Sequence, residues 1–309
     1  MKTLLKQSSL NKNKHILIID GMNLFHRQYH IFNKYPYGTP FGFLNSLMSF
    51  NEMVQTNKII VAWDGDKVWR KEQSADYKKS RDDRFTEDEK ENFSRNLHNT
   101  KKLLEQLSII QVLKRDCEAD DLIALFTLKY NKDVVIASND KDFMQLISDK
   151  KNIRILRPDK NGGYKVYCEK DVIEHYGVPA AKIAAYLAIA GDVSDGVKGV
   201  HKMGDVKARK LINDGVIKTN KLKEVFNAEQ LKQFINSYHL VKLGIDKFHH
   251  IKVTNDDVTV KKFNGDETNI SMILDEYQIK KYKSIQLKCL INNNWIDEFI
   301  NGLKVGNKI

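Results

Sequence analysis

The chain has 309 residues, 41% of them hydrophobic and 29% charged, the balance of a folded globular protein and not of a disordered one. Its formal net charge of +11 favours a polyanionic partner, nucleic acid ahead of an anionic membrane surface. Three scattered cysteines (Cys117, Cys168, Cys289) without a Cys-x-x-Cys pair argue against a zinc ribbon or a disulfide framework and fit a reducing cytoplasm. The polar, lysine-rich start of the chain has no continuous apolar segment, and no apolar run reaches a membrane span, so neither a signal peptide nor membrane association is expected.

His15 to Asp20 is a short apolar run ending in Asp-Gly, the pattern of a buried parallel strand. Gly21-Met22-Asn23 then turns into a helix through Leu24 and Phe25, and Pro36, Gly38 and Pro40 mark a loop before a helix over Phe41 to Val54. A second strand, Lys58 to Trp63, also ends in acid, at Asp64. From Arg70 to Glu91, 15 of 22 residues are charged, a segment that cannot bury a face and reads as a loop or a helical excursion over solvent. Amphipathic spacing returns at Leu97, Leu103, Leu104 and Leu107.

Ser108 to Leu113 is a weaker strand leading to Cys117-Glu118-Ala119-Asp120-Asp121, with a helix expected from Ala119 to Tyr130. Asp133 to Ser138 is a strand followed by Asn139-Asp140-Lys141-Asp142 and a helix carrying Phe143, Met144, Leu146 and Ile147. Ile153–Arg157 and Tyr164–Cys168 flank a turn and predict a hairpin. After Pro179 the pattern is helical: Ala180–Ala190, then Gly191-Asp192-Val193-Ser194-Asp195-Gly196, then a glycine-bearing turn opening another helix through Ala208, Leu211 and Ile212. From Lys218 onward the chain is basic and mostly helical in pattern.

Strands alternating with helices predict an α/β fold with a doubly wound, mostly parallel sheet, whose functional crevice lies at the carboxyl ends of the strands. Asp20, Asp64, Asp140 and the Glu118 cluster each follow a strand there, so separate segments bring acids to one rim. Most of the acids have a plainer explanation: a strand-end turn acid for Asp20, acids at a helix N-terminus for Glu118, Asp120 and Asp121, turn formers for Asp192 and Asp195, and an N-cap for one of Asp140 and Asp142. Together with Asp142, Asp192 and Asp195 they supply the hard oxygen donors that two-metal phosphodiester hydrolysis needs, Mg²⁺ being the natural ion.

Five stretches sharpen this: Asp20-Gly21-Met22-Asn23, Tyr77-Lys78-x-x-Arg81, Glu118-Ala119-Asp120-Asp121, Ser138-Asn139-Asp140-Lys141-Asp142 and Gly191-Asp192-x-x-Asp195-Gly196-Val197-x-Gly199-Val200. In this order and spacing, over about residues 14 to 215, the chain resembles the 5′–3′ exonuclease/flap endonuclease family, and its length is like that of the bacteriophage ribonuclease H/flap endonucleases. The resemblance implies a PIN-like nuclease core over 1–176 with a helical arch at about 70–99. A helical DNA-binding region would follow over 177–309, with a helix–three-turn–helix at about 180–213.

The resemblance further implies one metal at Asp20, Asp64, Glu118 and Asp120 with Asp140 nearby, and a second at Asp142, Asp192 and Asp195 with Asp121 outside them. Two Mg²⁺ ions are expected, with Mn²⁺ as substitute. Lys78 and Arg81 would act on the scissile phosphate. Tyr77, Lys79, Lys198, Gly199, Val200, Lys202, Gly204 and Lys207 would contact DNA. Lys202 stands where the family hairpin has glycine, which leaves open the K⁺ site that some members build there, with a direct Lys202–phosphate contact as the alternative. The implied substrates are branched DNA with a 5′ single strand and RNA·DNA hybrid in DNA replication. The implied protein is a cytoplasmic monomer, with a single-strand-binding protein or sliding clamp as partner. The competing readings are a PIN-type ribonuclease on single-stranded RNA, a catalytically inactive duplex-DNA-binding protein, and a haloacid-dehalogenase-type phosphatase. The last would want a second acid where Met22 stands.

Overall fold

The computed structural model describes residues 14–65, 86–131, 133–159, 162–217, 221–243 and 251–305. Five apolar runs form parallel strands: β1 (Ile16–Asp20), β2 (Ile59–Trp63), β3 (Ile110–Leu113), β4 (Val134–Ala137) and β5 (Ile153–Pro158), side by side in the order β5-β4-β1-β2-β3. Antiparallel strands close both edges, β6 (Tyr164–Tyr167) on β5 as the expected hairpin and β7 (Val258–Thr259) on β3. Every residue of β1, β2 and β4 is buried, because helices cover both faces of the sheet.

Alternation along the strands divides the interior in two. Leu17, Ile19, Val61, Trp63 and Val135 face α1 (Gly21–Phe32), α2 (Gly38–Val54) and α3 (Glu87–Gln106). Ile16, Ile18, Ile60, Ala62 and Ile136 share the other core with α4 (Ala119–Tyr130). The chain continues through α5 (Glu169–Tyr176), α6 (Ile183–Ala190), α7 (Asp205–Asn213), α8 (Leu222–Val225) and α9 (Ala228–Val241), whose apolar residues extend this second core. Of the last helices, α10 (Glu267–Glu276) and α11 (Ser284–Leu287) pack on the first core, and α12 (Asn293–Val305) on the second. Residues on either side of position 176 therefore share both cores.

Three local features differ from the sequence reading, and a fourth, the helix in the charged stretch, takes up one of its two alternatives. α2 begins at Gly38, with Pro40 inside its first turn, where a missing N–H costs no helical hydrogen bond. α3 starts within the charged stretch, on a capping box in which Thr86 and Glu89 satisfy one another's backbone N–H groups. The segment after β4 is a short 3₁₀ turn, Asp142–Leu146, and not a longer helix, because the chain returns at once to β5. β7 has only two residues, too few to leave a periodic signature.

The chain runs from β1 outward to β2 and β3, then returns to lay β4 and β5 on the other side of β1. The winding reverses between β1 and β4, and the crevice at their carboxyl ends is where such sheets carry their sites. Gly21 lets α1 start close above β2: a Cβ there would meet the Ala62 carbonyl oxygen at 2.6 Å and the Trp63 ring at 2.7 Å. No helix among the described residues is long and apolar enough to cross a membrane.

Candidate metal centre

Asp20 ends β1 and caps α1. Its Oδ1 accepts from the Asn23 backbone N–H at 3.0 Å, and its Oδ2 accepts from the Ser138 hydroxyl at 2.8 Å across the β1–β4 crevice. Ser138 Oγ in turn accepts from the Asp140 N–H at 3.0 Å, and the Asn23 side-chain oxygen accepts from the Asn139 N–H at 3.2 Å. These bonds stitch the loops after β1 and β4 into one frame. Burial, and then the charges of Asp64 and Asp140, push the Asp20 carboxyl up to about 7 against the opposing pull of its two hydrogen bonds.

Asp64, exposed at the end of β2, accepts from the Ala119 N–H at 2.7 Å with Oδ1. It thereby does what the helix-terminus reading of Glu118 required. Glu118 occupies the N-cap position of α4, is buried, and makes no capping bond with its side chain. Asp120 is half-buried in the first turn of α4, and Asp121 is fully buried there. Burial, followed by the charge of Asp121, pushes the neighbouring Cys117 thiol up to about 12.

A second grouping lies beside the first. Asp140 Oδ1 accepts from the Asp142 N–H at 2.8 Å, which ties the two groupings together. Asp142, Asp192 and Asp195 are all buried, and each offers an oxygen within 4.8 Å of the others. Burial first, then the charges of Asp140, Asp195 and Asp192, hold the Asp142 carboxyl well above the usual carboxylate range, with Lys141 opposing. Asp142 Oδ1 and Asp192 Oδ2 are buried with no hydrogen-bond partner. Buried carboxylate oxygens left this way are costly unless a cation completes them.

Local backbone explains how Asp192 and Asp195 turn inward. Gly191 leaves α6 at φ +90°, and Asp192 and Val197 exchange backbone hydrogen bonds of 2.9 and 2.8 Å across a tight loop. Gly199 packs so closely under it that a Cβ would meet the Ala190 carbonyl carbon at 2.6 Å. Gln145, also buried, donates to the carbonyls of Asp142 (2.8 Å) and Val241 (3.0 Å) and accepts from the Leu243 N–H (2.9 Å), tying the Asp142 turn to the end of α9.

The remaining predicted residues divide. Tyr77, Lys78, Lys79 and Arg81 lie outside the described residues. Lys198, Lys202, Gly204 and Lys207 are exposed around the start of α7. Lys202 holds the left-handed conformation a glycine would favour, at φ +61°, and its carbonyl accepts from the Lys207 ammonium at 3.0 Å. Val200 needs correcting as a DNA-contact residue. Its side chain is in the core and its N–H is bonded to the Ile189 carbonyl at 2.9 Å, so neither faces solvent. Half-buried Gly199 has a packing reason to be glycine. Ser138, Asn23, Gln145 and Lys141 were missed as site residues, although three of them stand inside the quoted motifs.

Residues 15–177 match the family model described as "5'-3' exonuclease, N-terminal resolvase-like domain". The chain belongs to the 5′–3′ exonuclease family. It is 31% identical over 218 residues to a 5′–3′ exonuclease of Bacillus subtilis (strain 168), covering 66% of this chain and 71% of that protein. It is 31% identical over 221 residues to the DNA polymerase I of Synechocystis sp., covering 65% of this chain but only 22% of the polymerase's length. The fold is similar to that of bacteriophage T5 flap endonuclease in a complex with DNA and metal ions: TM-score 0.60, 20% identity, 94% of this chain and 98% of that one. The protein is thus a 5′ nuclease, a phosphodiesterase on an α/β, PIN-like fold, and none of the three competing readings named above is favoured.

Proposed function

We propose that this 5′ nuclease cuts branched DNA carrying a 5′ single strand and removes 5′ RNA from RNA·DNA hybrid, as a monomer using two Mg²⁺ ions that Mn²⁺ can replace. The observation that carries this reading is the buried Asp142, Asp192 and Asp195 grouping, with two unpartnered carboxylate oxygens, beside the Asp20, Asp64, Glu118, Asp120 and Asp140 grouping on one rim. An all-carboxylate donor set without His or Cys fits a hard divalent cation. When bound, such ions stabilise charge on the attacking and leaving oxygens of a phosphodiester.

The chain's own residues do the rest. Asp20, Asp64, Glu118 and Asp120, with Asp140 beside them, hold one cation. Asp142, Asp192 and Asp195 hold the other, with Asp121 behind. The Asn23 and Ser138 hydrogen bonds fix the carboxylate of Asp20 before any substrate arrives. Lys78 and Arg81 bind the scissile phosphate and offset its developing charge. The exposed ammonium groups of Lys198, Lys202 and Lys207, with Gly204 at the N-terminus of α7, grip a duplex phosphate, α6 and α7 serving as the two helices of a helix–three-turn–helix.

Products mapped on a 5′-flap, a nicked duplex and an RNA·DNA hybrid, with Mg²⁺, Mn²⁺ or EDTA, test the reading. Cleavage near the flap junction and 5′ release from the hybrid, both abolished by EDTA, are expected. An untouched flap in Mg²⁺ contradicts it. Affinity for the flap in EDTA should fall steeply and log-linearly with salt.

A further inference from the structure

The second acidic grouping has a cation of its own. Lys141 stands between Asp140 and Asp142 in the chain, and its ammonium reaches Asp192 Oδ1 at 2.6 Å and Ser194 Oγ at 2.9 Å. Asp192 Oδ1 is filled, since Ser194 also donates to it through its N–H at 3.0 Å and its hydroxyl at 2.5 Å. Asp192 Oδ2 is left unpartnered, as is Asp142 Oδ1. The Asp192 side chain is wholly buried, while that of Lys141 keeps 32% of its surface in solvent. The lysine therefore has a way out along its four-carbon stem, and the aspartate does not.

Charge decides what this arrangement does. Asp142, Asp192 and Asp195 lie together, and one ammonium offsets part of their repulsion. A divalent cation drawn to the same oxygens is repelled by that ammonium a few ångströms away, in a region where water screens little. We propose that Lys141 is the built-in counter-ion of this grouping: it holds the three aspartates together while no divalent cation is present, and it weakens divalent binding there until it swings toward solvent. The proposal rests on the reading that this grouping binds a divalent cation. It makes the grouping tolerable without metal and leaves its affinity low, so that an arriving phosphate can help to fill it.

The test is Mn²⁺ titration of the full chain without nucleic acid, read by the loss of the free Mn²⁺ electron-spin-resonance signal, together with thermal unfolding in EDTA. Lys141→Gln removes the charge and keeps an amide donor, Lys141→Met removes both, and Lys141→Arg keeps the charge. The Gln and Met variants are expected to bind Mn²⁺ at the weaker site at least about tenfold more tightly than the parent and to melt earlier in EDTA, with Arg restoring both. Unchanged or weaker Mn²⁺ binding in the Gln variant overturns the counter-ion role and leaves Lys141 as a residue that merely orients Asp192. Asp142→Asn separates the two claims: if it binds as many Mn²⁺ ions as the parent, the grouping is not a cation site and the reading beneath the proposal fails.

Discussion

The two acidic groupings on the rim differ in how their oxygens are satisfied. Around Asp20 the chain supplies the partners itself: Asn23 and Ser138 for Asp20, the Ala119 N–H for Asp64 and the Asp142 N–H for Asp140. Around Asp142 it leaves two buried oxygens unpartnered and brings in a lysine. The first grouping is organised by hydrogen bonds from backbone and side chains already folded, whereas the second keeps two buried oxygens that a cation could complete. One fold thus places a hydrogen-bonded grouping beside one with unpartnered oxygens, and Asp140 joins them.

The largest expected effect breaks the second grouping alone. Asp142→Asn should lower single-turnover cleavage by at least about 10²-fold with little loss of flap binding. The same change should raise the melting temperature in EDTA, because a neutral amide replaces a buried acid that resists ionising. An equal loss of binding and turnover would contradict the assignment.

Next comes pH, which probes the first grouping. The carboxyl of Asp20 is raised to about 7 in the folded protein, above its unfolded value near 4, so in this window the native state holds a proton that the unfolded chain has lost. Its contribution to stability is fully present below about pH 4 and is lost as pH rises toward 7, at about 1.4 kcal/mol per unit at most. Urea unfolding in EDTA should show this slope, and Asp20→Asn should flatten it. Divalent cations compete with the same proton, so their binding should strengthen with pH.

Two smaller effects sharpen the comparison from outside the acids. Gln145→Leu strands the Val241 carbonyl and the Leu243 N–H, and should cost about 3 kcal/mol in urea unfolding while loosening Mn²⁺ binding at the Asp142 grouping. Gly21→Ala forces α1 off β2 and should cost about 2 kcal/mol, with its metal-binding effect confined to the Asp20 grouping. If both changes disturbed the two groupings equally, the division drawn here would fail.

Much of the molecule was legible before folding. Continuous apolar runs marked β1, β2 and β4 because strands buried on both faces have no polar side to show. An acid at the end of each run placed the rim. The Thr86-x-x-Glu89 capping box was equally readable and was overlooked within the charged stretch. The two-residue β7 was not, since its pairing with β3 depends on chain more than a hundred residues away.

The sequence by itself determined which residue types reach the rim, because strand ends and helix starts are local properties of the chain. Only the tertiary structure decided how the acids divide, which oxygens stay unpartnered, and that Lys141 rather than solvent faces Asp192. Those outcomes rest on contacts such as Asp20–Ser138 and Lys141–Asp192, 118 and 51 residues apart in the chain, and on burial that raises the cost of an unpaired charge. Neither separation nor burial is written in any local pattern. The same motif letters therefore yield one grouping whose oxygens the fold partners and another that keeps two buried oxygens unpartnered.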